Sequence, residues 1–121
     1  MKFGRPTKYR NEKTSFAGLK FDSKKEAARW GELLILERMG QIDHLERQVA
    51  YELAPSVKFE GEKRAKPALR YVADFRYRDV ATGQTVVEDI KSSVTEKLPA
   101  FRIKQHLMKS VHGLEVKVVH G

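Results

Sequence analysis

Cysteine is absent from the 121-residue chain, and that gap closes several routes at once. No disulfide can form within the chain or to a partner, no thiolate zinc site can be built, and no cysteine nucleophile is available. A zinc-finger account of the basic charge is therefore excluded. The four histidines (His44, His106, His112, His120) show no HExxH or other close ligand spacing, which argues against a histidine-based metal site. No apolar run approaches the roughly 20 residues of a membrane span. The basic start, MKFGRPTKYRNEKTSF, has no apolar stretch behind it of the kind a signal peptide carries. Repeats and low-complexity tracts are missing as well. These absences describe a soluble, cytoplasmic protein with no membrane segment and no disulfide-linked partner.

Acidic residues are the minority charge. Sixteen Asp and Glu face 24 Lys and Arg, a formal net charge of +8, and the pI is near 9.8. Such an excess favours a polyanionic partner, nucleic acid before an acidic membrane surface. With 40% hydrophobic and 33% charged residues, the chain has enough apolar matter for one modest core under a charged surface. Its length points to a single domain, residues 21–121, behind a basic N-terminal arm, residues 1–20. The arm holds Lys2, Arg5, Lys8, Arg10 and Lys13 against Glu12. Such a tail either stays solvated or, through residues such as Lys8 and Arg10, tracks DNA. Phe16, Leu19 and Phe21 suggest that its end packs onto the domain.

Trp30, Leu33, Leu34 and Met39 recur at helical spacing after Ser23, and Gly40 is a natural stop, which predicts a helix over 23–39. A β segment over 42–53 follows, then a charged loop over 56–68 containing Gly and Pro. RYVADFRYRD alternates as a strand, ATGQ reads as a turn, and TVVEDIKS reads as the returning strand of a hairpin. A second helix over 99–111 starts at Pro99 and stops at His112-Gly113, before a final strand, LEVKVV. The order is helix, three strands, helix, strand.

Acidic residues inside strands are the anomaly in this pattern. A half-buried carboxylate is unfavourable unless it is paired, hydrogen-bonded or holding a metal. Asp74 lies in YVADFRY and Asp89 in VVEDIKS. Asp89 and Lys91, two apart in a strand, share a face, and a hairpin brings Asp74 within reach of them. Two carboxylates with a lysine suit Mg²⁺-assisted phosphodiester hydrolysis. Hard oxygens hold the ion and leave it waters, while the lysine orients a water or stabilises developing charge. An Asp–Lys pair two apart is, alternatively, an ordinary surface ion pair worth ~0–1 kcal/mol. Glu88 either pairs with an arginine or, through a bulge, replaces Asp89 as the metal-facing acid. Glu26 borders the inward stripe of the first helix, where it is a third metal ligand or the return half of a capping box with Ser23. Arg102, Lys104 and Lys109 form a basic stripe on the second helix, with no acid between Leu98 and Ser110. That stripe is a candidate DNA-phosphate track. Gln105 and Gln48 stand as either substrate contacts or plain surface amides.

Taken together, DSKKEAARWGEL, IDHLERQVAYEL, YVADFRY, VVEDIKS and FRIKQHLM resemble the PD-(D/E)XK nucleases over about residues 16–119. More narrowly, they resemble a small phage-associated domain family of unknown function grouped with that class, beside phage junction resolvases. The resemblance implies a restriction-endonuclease-like αβββαβ core, an α/β fold with a mixed central sheet flanked by helices. It implies Asp74 and Asp89 as metal ligands, Glu26 completing the site, and Lys91 as the catalytic lysine, with Mg²⁺ as cofactor and Mn²⁺ able to substitute. Ala73 stands where the class name expects proline, at a position without a metal role. The expectation is a metal-dependent DNA endonuclease acting in phage recombination, replication or repair, with a Holliday junction or other branched DNA as substrate. Cutting two strands with one site per chain favours a homodimer. The rival readings are a non-catalytic DNA- or RNA-binding module and a nuclease-like fold turned assembly factor.

Overall fold

The computed structural model describes residues 14–16, 18–21 and 23–120. Two short antiparallel strands, β1 (Thr14–Phe16) and β2 (Leu19–Phe21), turn at Gly18 and lead into helix α1 (Lys24–Arg38). Three strands follow: β3 (Ile42–Ala54), β4 (Leu69–Asp79) and β5 (Thr85–Lys91). Helices α2 (Ser93–Glu96) and α3 (Pro99–Leu107) come next, and a π-helical turn (Met108–His112) continues α3. Strand β6 (Val116–His120) ends the described chain. The sheet order is β3-β4-β5-β6, antiparallel except for the parallel β5–β6 pair, so the sheet is mixed.

The helix start follows its sequence signal. Ser23 is extended, and its hydroxyl accepts from the Glu26 amide at 3.1 Å, satisfying one of the free N–H groups of the first turn. At the other end, Gly40 takes φ 78, a left-handed conformation that a side chain resists, and its amide returns to Glu37. The β4–β5 hairpin forms as the alternation predicts.

The end of the basic arm packs onto the domain as expected, through Phe21, fully buried against Trp30, and half-buried Leu19, and it does so as a strand pair. Two expectations change. The second helix is α-helical only to Leu107, because the wider turn over Met108–His112 takes up the rest before Gly113, at φ 71. The four-residue α2 is too short to show a period; its signal is Ser92, which caps the Thr95 amide. Lys8 and Arg10 lie outside the described residues. Among those described, no helix is long and apolar enough to cross a membrane.

Two apolar clusters share β4. Phe75 and Tyr77 join Phe21, Trp30, Leu33 and Ile42 on the α1 side, where Trp30 stacks on Phe75 at 5.7 Å. Tyr71 and Ala73 join Leu53, Val87, Phe101 and Met108 beneath α3. Asp74 stands between Ala73 and Phe75, at the boundary of the two.

Candidate active site

The ladder between β4 and β5 runs from Arg78–Thr85 to Phe75–Glu88 and then stops. The strands part at the next pair, Asp74 and Asp89. The Ile90 amide, which has lost a backbone carbonyl across this gap, donates to Asp74 Oδ2 at 2.8 Å. Asp89 is 1% exposed. Tyr71 donates its hydroxyl to Asp89 Oδ2 at 2.8 Å, and Lys91 Nζ sits 3.1 Å from the same oxygen. Both partners crowd Oδ2, and the buried Oδ1 has no hydrogen-bond partner among the described residues. The Lys91 ammonium also lies 5.1 Å from the Phe101 ring centroid, so α3 helps to hold it over the site.

Burial raises the Asp74 carboxyl, and the Asp89 carboxyl beside it and the charge of Glu26 add to that rise; the Ile90 amide opposes them, leaving it at about 8. The proton is therefore held more tightly in the folded chain than in the unfolded one. Stability attributable to Asp74 is full below about pH 3.8 and is lost as pH rises through about 8. Metal-free wild type is expected to lose melting temperature across that window, and Asp74→Asn to remove this part of the loss. Thermal melts in chelator at stepped pH check it; identical slopes would show that Asp74 titrates normally.

Glu26 is 4% exposed and accepts from Gln48 Nε2 at 3.1 Å through Oε2. Its charge reaches Asp74, yet among the described residues no three His, Cys, Asp or Glu side chains converge closely enough to hold a metal by themselves. Glu26 stands at the margin of the Asp74–Asp89 pair.

Glu88, the alternative second ligand, is committed elsewhere. As the strand neighbour of Asp89 it points away from that residue's face. Arg29 grips it from α1, Nε to Oε1 at 2.8 Å and Nη2 to Oε2 at 2.7 Å, and Tyr77 donates to Oε2 as well. Burial alone would raise its carboxyl, but Arg29 and Tyr77 outweigh burial and leave it below the ordinary value. Arg29 also holds Glu32 at 2.8 Å.

The expected basic stripe divides. Lys104 lines a cavity of about 300 Å³ together with Asp89, Lys91, Arg70 and Phe101. Arg102 is exposed, and Gln105 is half-buried. Lys109 departs from the expectation of an uncompensated stripe: its ammonium pairs with Glu115 at 2.9 Å, a residue that follows the helix in sequence and folds back on it. The histidines are all exposed, and three have local partners: Asp43 for His44, the Glu52 carbonyl for His112 and Glu96 for His120.

Two contacts escaped the sequence. Tyr71 touches Asp89 from three residues before Asp74, with no motif to mark it. Gln48 has a left-handed backbone, φ 55, in the middle of β3. Such a conformation costs a non-glycine residue about 1–2 kcal/mol, and glutamine has no special tolerance for it.

Fold and site together define a small α/β protein with an N-terminal helix, a mixed four-stranded sheet and two C-terminal helices, carrying a half-buried Asp74 beside a buried Asp89 where two strands separate. Over residues 6–119 the chain matches the family described as "Protein of unknown function (DUF1064)", and it belongs to that family. No curated protein and no solved structure matches it.

Proposed function

We propose that this chain is a Mg²⁺-dependent DNA endonuclease on a restriction-endonuclease-like fold, with Asp74 and Asp89 as the metal ligands. The observation that carries the reading is a pair of acids side by side where β4 and β5 part, Asp89 buried and Asp74 half-buried, with Asp74 resisting ionisation beside its neighbour and Lys91 against Asp89. Two neighbouring acids cannot both ionise cheaply, and a cation that takes the place of the proton between them offsets that cost. The donor set fits: Mg²⁺ takes hard oxygens, needs only one or two carboxylates, and keeps water for the rest of its shell. When bound there, such an ion polarises a phosphodiester and acidifies water.

The protein's own groups complete the chemistry. Lys91, held by Asp89 and the Phe101 ring, presents a positive charge where a phosphorane gathers negative charge. Glu26, at the margin of the pair, can accept a proton from a water approaching Asp74. Lys104 and Arg70 line the adjoining cavity and suit the neighbouring phosphates of a strand. The net charge of +8 supports a DNA substrate. Branched DNA and a homodimer that cuts paired strands belong to the same proposal. A purely DNA- or RNA-binding module accounts for the charge, but it leaves the Asp74–Asp89 pair beside the basic cavity without a role.

Nicking of supercoiled plasmid and of four-way junction DNA tests this directly. Cleavage is expected with Mg²⁺ and with Mn²⁺ and none in chelator, and Lys91→Ala is expected to slow it about 100-fold or more. Binding without nicking under every metal condition would leave the binding-module reading standing.

A further inference from the structure

Two non-glycine residues have positive φ, His44 at 54 and Gln48 at 55, both in β3. They have different origins. At His44 the pairing with β4 slips between Asp43 and Glu46, so a bulge accounts for the turned backbone. At Gln48 the register does not shift, since Arg47 pairs with Phe75 and Val49 with Ala73, but Gln48 and Asp74 between them are not paired. Gln48 therefore lies across the sheet from Asp74, with a left-handed backbone at a gap in the ladder where neither strand gains a residue.

The direction of its side chain supplies the reason. Neighbours in a regular strand point to opposite faces. Arg47 already faces the α1 side, with its guanidinium 4.3 Å over the Phe21 ring and Nη2 donating to the Lys20 carbonyl at 2.7 Å. Regular backbone would send Gln48 away from α1, yet its Nε2 reaches Glu26 on α1 at 3.1 Å. The left-handed turn aims the carboxamide at the carboxylate. Strain of this kind persists where the surroundings over-determine it, and it gathers at functional sites.

We propose that Gln48 is a positioning residue for the carboxylate site, holding the buried Glu26 carboxylate in place opposite Asp74. The proposal rests on the metal-dependent reading above. Outer-shell partners of this type fix the orientation of the acidic groups they touch and tune the site's affinity for its ion. A merely structural amide would sit on unstrained backbone, and its loss would be felt in stability. Here the strain makes the opposite trend available, because glycine adopts positive φ without a steric penalty.

Two variants separate the backbone from the amide. Gln48→Gly removes both the strain and the carboxamide, whereas Gln48→Ala removes the carboxamide and keeps the strain. Mn²⁺ binding to the full chain is read from the loss of its free-ion EPR signal, and melting is followed in chelator. Gln48→Gly is expected to melt above Gln48→Ala, while both bind Mn²⁺ about tenfold or more weakly than wild type. Nicking by both should fall at low Mn²⁺ and recover in part as Mn²⁺ is raised. A smaller loss of affinity in either variant, or Gln48→Gly melting below Gln48→Ala, overturns the assignment. If wild type binds Mn²⁺ and nicks DNA while the variants match it, this proposal alone fails. If wild type binds no Mn²⁺, the nuclease reading fails and takes this proposal with it.

Discussion

Asp74→Asn and Asp89→Asn proteins are each expected to bind DNA and to cut essentially none of it. Asparagine keeps the shape of aspartate, and at position 74 its carbonyl can still accept the Ile90 amide, so the parted strands stay where they are. What is lost is anionic charge. Lewis-acid stabilisation by a bound ion is worth several kcal/mol, and each 1.36 kcal/mol is tenfold in rate, so a fall of about 10³-fold or more is expected. Affinity for DNA in Ca²⁺ should hold or rise, since one negative charge near phosphate has gone. Plasmid nicking beside a mobility-shift titration reads both quantities. Full activity in both variants would remove the site. Full activity in Asp89→Asn with a dead Glu88→Gln would move the second ligand to Glu88, against the grip of Arg29.

Glu88→Ala should act on stability before chemistry. Glu88 is completely buried, and its fork with Arg29 joins α1 to β5. The alanine variant leaves a largely buried guanidinium with only the exposed Glu32 as partner, and takes the acceptor from Tyr77. Removing one partner of a buried pair typically costs about 3–5 kcal/mol, and the remaining Glu32 contact places this case near 3 kcal/mol. For a chain of this size that is a fall in Tm on the order of 10 °C. Glu88→Gln keeps the volume and an acceptor for Arg29, so a much smaller fall is expected. Equal melting of wild type and Glu88→Ala would mean that the fork contributes nothing net.

Much of the frame was legible because it rests on local chemistry. The Ser23 cap, the Trp30–Leu33 spacing and the Gly40 stop are readable within one helix. The alternation of YVADFRY and TVVEDIK, with a turn between them, specifies a hairpin without any distant partner. The Asp89–Lys91 pair follows from the two-residue period alone. What stayed hidden depends on partners far along the chain. Adjacent Glu88 and Asp89 had to face opposite ways, but which acid met Arg29 depends on a contact 59 residues distant. The strand pair before α1 was masked by the lysines and arginines preceding it, although Leu19 and Phe21 carried its apolar signal. The left-handed backbone of Gln48 has no compositional mark, since the residues that favour such geometry are glycine and asparagine. The pairing of Lys109 with Glu115 required knowing how the chain turns after Gly113.

The fork between β4 and β5 also furnishes an observer. The Ile90 amide donates to a side chain where a strand carbonyl would ordinarily accept, so the charge of its acceptor can change without refolding. Its nitrogen and proton chemical shifts therefore follow the state of Asp74 directly. In a two-dimensional amide spectrum, one backbone signal reports when that carboxylate gains a proton or yields its lone pairs to a cation, in a chain that has been given no substrate at all.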